Sequence, residues 1–181
     1  QYDGSLNALN QANGLLKIDV AGTPDYVKIN ELKHDGVAGK LFATGSVNLK
    51  DKLGWNIETS LVRFKPQYFV SSVKGEISGH VKSQGVWSDD LKRVDIRQLN
   101  AAGFINNKPV RGRGNLTLLL DSNQKGFLPQ QFEANDLFFA YAQNQLQATG
   151  NAQSLKVKLN APALYEIYPG LQGRAYGNLN I

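Results

Sequence analysis

The feature that most constrains this sequence is a period-two alternation of apolar and polar residues, which recurs along most of the chain. Between residues 37 and 49 the odd positions carry mostly apolar or small side chains, and the even positions carry mostly polar ones. Successive side chains of a β-strand point to opposite faces, so this segment is predicted to be a strand with one apolar face. The same pattern occupies residues 16–20, 53–61, 73–81, 110–120, 155–159 and 171–181. The sequence therefore predicts an all-β fold of about ten to thirteen strands.

Turn-forming residues separate the alternating segments, at positions 21–24, 34–36, 51–52, 87–90, 106–109 and 143–145. Most neighbouring strands are therefore expected to pair as antiparallel hairpins. Helical spacing is confined to residues 162–168, where Pro162 suits a helical start and Pro169 with Gly170 ends the helix. Residues 87–91 are a second candidate for a single turn. We therefore expect at most one or two short helical turns.

Glycine bears on how such a sheet is arranged. It occupies the apolar register at positions 39, 45, 75, 79, 112, 114, 173 and 177, where it adds nothing to a core and weakens a strand. Glycines 45, 79, 114 and 150 also recur at a steady spacing of about 35 residues, which indicates stacked supersecondary units. A sandwich, a barrel and a curved sheet all fit the alternation. The glycines, and the absence of a helix to cover the apolar face, favour an elongated curved sheet, a half-pipe with an apolar concave face.

Composition argues against most catalytic chemistry. The chain has no cysteine, which excludes a thiol nucleophile and a disulfide framework. The two histidines, His34 and His80, lie in no metal-ligand spacing, and no Gly-x-Ser-x-Gly elbow is present. The net charge of +5 is spread over the whole length, and aromatic residues do not alternate with the arginines as a single-strand nucleic-acid binder requires. We predict no enzyme activity, no metal or other cofactor and no nucleic-acid partner.

The candidate binding residues are the large apolar side chains of the alternating face. An uncovered apolar strip of this length binds something apolar or aggregates. In the aromatic run of residues 137–141, Phe139 and Tyr141 are predicted to share a face with Leu137, and Phe138 to lie opposite. The predicted cargo-binding residues are Leu41, Val47, Leu49, Ile57, Leu61, Ile77, Val81, Leu116, Leu118, Leu120, Phe139, Val157, Leu159, Leu179 and Ile181.

The C-terminal part of the chain carries a more specific pattern. Residues 159–164 read Leu-Asn-Ala-Pro-Ala-Leu, an apolar strand that runs into an Ala-Pro-x-Leu turn. Residues 168–171 read Tyr-Pro-Gly-Leu, and Gly173 and Gly177 then precede the apolar positions Leu179 and Ile181. This pattern resembles the TamB family, and residues 37–49 and the hairpin at residues 107–112 share its character. The related AsmA-like proteins share the same style of sequence.

The resemblance implies a location and partners. TamB-like proteins are anchored in the inner membrane of Gram-negative bacteria by an N-terminal helix and cross the periplasm as a long β-rich body with a hydrophobic groove. The implied partners are a TamA-like outer-membrane protein of the Omp85 class, contacted outside this segment, together with phospholipids and outer-membrane β-barrel proteins. Both ends of the chain fall in patterned sequence, so we expect residues 1–181 to be a single β-rich segment of a longer periplasmic protein.

Two functions of different classes fit these observations. In the first, the apolar groove chaperones or conducts apolar cargo, such as phospholipid acyl chains or outer-membrane protein strands, between the inner and outer membranes. In the second, the segment is a β-sandwich scaffold that templates outer-membrane β-barrel assembly by strand pairing. A charge placed on the apolar face disrupts the first function far more than the second.

Overall fold

The computed structural model describes residues 2–10, 14–121, 131–168 and 170–180. Twelve strands form one open antiparallel sheet, in which each strand pairs with the strands that precede and follow it in the sequence. The predicted all-β class and the predicted strand number are confirmed. The strands are β1 (Tyr2–Asn10), β2 (Gly14–Thr23), β3 (Tyr26–Gly36), β4 (Gly39–Asn48), β5 (Leu53–Phe64), β6 (Gly75–Trp87), β7 (Leu91–Ile105), β8 (Lys108–Asp121), β9 (Gln131–Tyr141), β10 (Asn144–Asn151), β11 (Ser154–Ala161) and β12 (Ala175–Asn180).

Two short helical turns lie between strands in the ranges that the structure describes. The predicted one is α1 (Leu164–Ile167), which lies between β11 and β12. The other is a 3-10 turn, Pro66–Tyr68, between β5 and β6. At residues 87–91 the predicted helical turn is wrong, because β6 runs to Trp87 and β7 begins at Leu91. There the Ser88 hydroxyl accepts a hydrogen bond from the Leu91 N–H at 3.1 Å and so closes a tight hairpin connection.

No second layer covers the sheet in the part of the chain that the structure describes. Extensive contacts join only neighbouring strands, apart from those of the 3-10 turn with β6. The alternative of a two-sheet sandwich is therefore wrong, because successive hairpins extend one sheet in one direction and never return to pack on it. The apolar side chains are nevertheless half-buried: in β11, Leu155, Val157 and Leu159 are less exposed than Lys156 and Lys158 between them. This difference fits the predicted curved, groove-like sheet.

A line of β-bulges crosses the sheet and accounts for its bending. Each register shift means that β3, β5, β7 or β9 has one residue more than its neighbouring strand at that point. Arg63, Gln98 and Asp136 lie in three of these bulges, and their φ values are positive, at 49°, 52° and 47°. A bulge bends its strand and increases the local twist. The repeating glycines lie in the alternate strands β4, β6, β8 and β10, so the repeat seen in the sequence corresponds to one hairpin.

Gly114 shows why glycine is required at the bulge line. Its φ is 107°, and a Cβ added there would lie 2.5 Å from the carbonyl oxygen of Asp136 on the bulged strand. Both the backbone conformation and the close approach exclude a side chain at this position. The glycine thus lets a neighbouring strand bulge without losing its pairing.

Candidate functional site

Strand register places the alternating apolar residues on one side of the sheet, here called the apolar face. Paired residues of antiparallel strands share a face, so a row can be followed from strand to strand. Leu41 pairs with Leu61, which pairs with Gly79, and the row continues in both directions. From β2 to β12 the row is Leu16, His34, Leu41, Leu61, Gly79, Ala101, Gly112, Phe139, Leu146, Leu159 and Gly177.

A second row runs parallel to the first from β2 to β9 and is richer in large side chains. It consists of Gly22, Val27, Val47, Trp55, Gly85, Val94, Leu118 and Phe132. Among the described residues, the charged side chains that the register puts on this face are Lys92 and Lys108, both near a strand end. Lys92 Nζ lies 5.2 Å from the ring centroid of Trp87. The interior of the face therefore has no charge with which to hold a polar cargo.

Most of the predicted cargo-binding residues meet on this face. The register brings together thirteen of them: Leu41, Val47, Ile57, Leu61, Ile77, Val81, Leu116, Leu118, Leu120, Phe139, Val157, Leu159 and Leu179. Leu49 lies just beyond the end of β4, 53% exposed, with its N–H donating to the Asp25 carbonyl. Ile181 lies outside the described residues.

Aromatic rings fill part of the space that the glycines of this face leave. The ring of Trp55 lies over Gly85, where an added Cβ would come within 2.4 Å of it. The ring of Phe139 lies beside Gly112, at 3.3 Å from such a Cβ. At both glycines a neighbouring ring occupies part of the space that the missing side chain leaves. The indole N–H of Trp55 donates to the Ser83 hydroxyl at 2.9 Å, so this ring brings no unpaired donor to the face.

The most tightly packed part of the face lies where β8 to β11 meet. Ala134, Leu137 and Ala148 are buried there. Leu116, Phe132 and Val157 pack around them. Small side chains allow the backbone to come close at the centre of this cluster, while larger ones form its walls.

The connection between β5 and β6 folds over one end of the apolar face. Phe69, which follows the 3-10 turn, stacks on Phe64 at 5.2 Å between ring centroids. It also meets the edge of the His34 ring at 6.0 Å. The side-chain oxygen of Gln67 accepts a hydrogen bond from the Gly75 N–H at 3.1 Å and ties the connection to the start of β6. Phe69 itself is still 62% exposed, so it extends the apolar surface past the sheet.

The α1 connection is anchored at the same end of the sheet. Glu166, with 3% of its side chain exposed, accepts a hydrogen bond from Lys108 Nζ at 2.8 Å. That hydrogen bond lowers the pKa of the Glu166 carboxyl despite its burial, and raises the pKa of Lys108. The Asn144 side chain donates to the Ala163 carbonyl at 3.0 Å and accepts from the Ala163 N–H at 3.1 Å. A polar lock therefore holds α1 on the hairpin of β9 and β10.

The opposite side of the sheet, here called the polar face, carries its own buried network. Burial alone would raise the pKa of the Asp95 carboxyl. Hydrogen bonds from Arg93 at 2.8 Å, Thr117 at 2.7 Å and Gln84 at 3.4 Å outweigh that effect and hold the pKa below its usual value. These residues lie on three neighbouring strands, so the network ties β6, β7 and β8 together. Asp95 is thus a structural carboxylate whose hydrogen bonds all come from within the sheet.

Five strands of the sheet, β1, β2, β3, β7 and β10, hold none of the predicted cargo-binding residues, and β7 shows one reason. Val94, Ile96, Leu99 and Ala101 of β7 belong to the apolar face, but none was predicted to bind cargo. The bulge between Ile96 and Leu99 moves the apolar set from even to odd positions, which breaks the alternation in the sequence. The signal that could have located this strand is a series of apolar residues that moves from even to odd positions across two consecutive polar residues, here 97 and 98.

Neither a metal-binding cluster nor a membrane-spanning helix is found in the described ranges. No cluster of three or more histidine, cysteine, aspartate or glutamate side chains there has an arrangement that could hold a metal ion. No helix within the same ranges has the length and apolar character needed to cross a membrane.

Comparison with known proteins identifies the family. The family model described as the N-terminal domain of TamB matches residues 1–181. The translocation and assembly module subunit TamB of Haemophilus influenzae is 28% identical over 169 residues, which are 92% of this chain and 12% of that protein. The chain thus spans about one eighth of the length of this relative. No solved structure matches the chain. The match over the whole chain shows that this protein belongs to the TamB family.

Proposed function

We propose that this chain is a periplasmic segment of a TamB-like protein and that its apolar face holds the acyl chains of phospholipids on their way between the inner and outer membranes. The observation that carries the proposal is the row from Leu16 in β2 to Gly177 in β12, which contains no aspartate, glutamate, lysine or arginine. A curved sheet with such a face offers a continuous apolar track and no interruption by charge.

The energetics suit a cargo that is held and also moves. Burial of apolar surface contributes about 25 cal/mol per Å² and has no preferred direction. The interior of the face places no charged group on the track, so an acyl chain meets no fixed point that would stop it. Lys92 and Lys108, at the ends of their strands, are positioned to stay outside the track. The face therefore favours sliding over tight and selective binding.

The family supplies the setting of this proposal. The relative is named as a subunit of a translocation and assembly module. We accordingly propose that the complete protein is anchored in the inner membrane of a Gram-negative bacterium and works with a TamA-like outer-membrane partner. The contact with that partner is proposed to lie outside residues 1–181. Outer-membrane protein strands are a second class of apolar cargo that the same face can accommodate.

Strand pairing is a second candidate function, which the open form of the sheet favours. Among the described residues, β1 pairs only with β2, and β12 pairs only with β11. An unpaired strand edge can template another strand through its free N–H and C=O groups. This function requires the edges and not the apolar face. Proline at a position of the edge strand β12 whose N–H points away from β11 would block pairing while leaving the interior of the face unchanged.

A lipid-extraction assay with matched variants tests the main proposal. Vesicles with labelled phospholipid are mixed with the purified chain, and the label that leaves with the protein is measured. Ile77 lies on the apolar face and its neighbour Ser78 on the polar face. We expect Ile77→Asp to lose most of the extraction and Ser78→Asp to retain it. Equal extraction by both variants would refute the proposal.

A further inference from the structure

The polar face changes its character between the two halves of the sheet. From β2 to β7 five ion pairs join charged groups of this face, between Lys17 and Glu31, Lys40 and Asp35, Arg63 and Glu76, Lys82 and Glu58, and Arg93 and Asp95. From β8 to β12 the described residues of this face form no ion pair, although Arg111, Arg113, Lys156 and Lys158 all lie there. Glu133 and Asp136 are the acidic residues of this half among those whose side chains the structure describes, so its four basic side chains leave the second half of the polar face with a net positive charge.

Register collects several of these groups into two neighbouring rows. The first row crosses five strands from β8 to β12 and consists of Arg113, Phe138, Gln147, Lys158 and Asn178. The second row lies beside it on β10 to β12 and consists of Thr149, Lys156 and Asn180. Together they line a concavity of about 850 Å³, with Asp136 at its border. A twisted sheet is saddle-shaped, so either of its faces can have a concave region.

The side chains of this concavity are available to a ligand. The Arg113 guanidinium lies over the Phe138 ring, 5.3 Å from its centroid, which orients the group without neutralising its charge. The polar side chains of the two rows are exposed, and among the described residues they form no hydrogen bonds with one another. Asp95, on the same face but in β7, has its charge bonded by Arg93, Thr117 and Gln84. The hydrogen bonds of Asp95 are thus all made within the sheet, whereas the exposed donors of the two rows remain available to a ligand.

We propose that this concavity, here called the cationic concavity, binds a phosphorylated group of lipid-headgroup size. Arg113, Lys156 and Lys158 supply three positive charges against the single negative charge of Asp136, which suits a phosphate. The amides of Gln147, Asn178 and Asn180 suit the hydroxyl or ester oxygens next to that phosphate. The volume lies within the range of small-ligand sites, about 300–1,000 Å³. The site lies on the opposite face from the acyl-chain track and does not depend on it.

A titration with defined phosphates tests the proposal. The purified chain is titrated with glycerol 3-phosphate, with inorganic phosphate and with glycerol as the uncharged control, at low salt. Binding to vesicles of phosphatidylglycerol is compared with binding to vesicles of phosphatidylcholine. Binding of the soluble phosphates identifies a free phosphorylated ligand, and binding of the anionic vesicles alone identifies a lipid headgroup. Either result supports the site. If none of the phosphorylated probes binds saturably, the proposal is overturned.

Charge reversal locates the binding. Lys158→Glu and Arg113→Glu each replace a central attraction with a repulsion, so we expect each to weaken binding about tenfold or more. Lys28→Glu is the matched control, because Lys28 is an exposed lysine on the polar face of β3, far from the cationic concavity in strand order. Its effect should stay below about twofold. An equal loss in the Lys28 variant would show unspecific attraction to net charge and overturn the proposal. Asn178→Ala is a milder variant that keeps the charge and should weaken binding by a smaller factor.

Discussion

Leu118 and Leu119 are consecutive leucines of β8 that lie on opposite faces of the sheet. Leu118 pairs with Val94 on one side and Phe132 on the other, whereas Leu119 pairs with Arg93 and Gln131. Both leucines are half-buried. The two positions therefore differ in the face they occupy more than in size, strand or exposure, and they form a natural pair for separating the role of the apolar face from general stability.

A charge on the apolar face should block transport without unfolding the protein. We expect Leu118→Arg in the complete protein to abolish its function, because an acyl chain passing a charge meets a barrier of several kcal/mol. Since no second layer covers the face, the arginine can reach water, and the loss of stability should be about 1–2 kcal/mol. Complementation and thermal unfolding measure the two effects. Leu119→Arg is the control and should keep the function. A Leu118 variant that is fully folded and fully active would contradict the account.

Asp95 should make stability depend on acid pH. The folded pKa of Asp95 lies below its unfolded value of about 3.9, so its contribution is present at neutral pH and is lost as pH falls through the folded pKa. We expect Asp95→Asn to lower the free energy of unfolding by about 2 kcal/mol at pH 7. The difference from the parent chain should shrink below about pH 4. Denaturant titrations at pH 7, 5 and 3 measure it, with Asp89→Asn, an exposed residue of the β6–β7 connection, as the control. A difference that does not change with pH would refute this role.

The polar lock of α1 should stabilise one end of the sheet. Glu166→Gln removes the charge that Lys108 neutralises and weakens the hydrogen bonds from Asn144 and the Gln143 N–H. We expect a fall in melting temperature of about 3–6 °C and faster amide exchange at Ala163, whose N–H bonds Asn144. Glu76→Gln removes the pair with Arg63, whose side chain is 74% exposed, and should change the melting temperature by less than about 2 °C. Unchanged exchange at Ala163 in the Glu166 variant would rule out the lock.

The bulge line should tolerate no side chain at its glycines. Gly114→Ala combines a φ of 107° with a clash against the Asp136 carbonyl, so we expect it to cost about 2–4 kcal/mol. Gly54→Ala is the matched control, because a Cβ there meets only ordinary contacts, of which the nearest is Asn48 Cβ at 3.6 Å. We expect it to be neutral or slightly stabilising. Denaturant unfolding of the two variants makes the comparison. Similar free energies of unfolding for the two variants would show that a side chain is tolerated at position 114, against this prediction.

The sequence predicts the regular strands well and the bulged strands poorly. The apolar residues of β6 and β8, such as Ile77 and Leu118, keep one parity over the whole strand, so alternation alone assigns their face correctly. In β7 the parity changes after Ile96, because an extra residue enters the strand there. Alternation assumes strict two-residue steps and cannot follow such a shift without the neighbouring strand as a reference.

The site on the polar face illustrates a second limit of the sequence. Arg113 and Lys158 are far apart along the chain, and no sequence pattern links them. They fall in one row only because β8 to β12 pair in succession with particular registers. The shift next to Gly114 moves that register, and turn chemistry alone does not specify it. The architecture of the sheet could thus be predicted, whereas the cross-strand rows could not.

Photo-crosslinking at adjacent positions tests the central claim most directly. A photoreactive residue is placed at Ile77, Ser78, Leu118 or Leu119 in turn, and the lipid captured in the envelope is identified by mass spectrometry. Register puts positions 77 and 118 on the apolar face and positions 78 and 119 on the polar face, outside the cationic concavity. The account predicts phospholipid crosslinks at 77 and 118, with little or none at 78 and 119. Equal capture at all four positions, or capture only at 78 and 119, would contradict it.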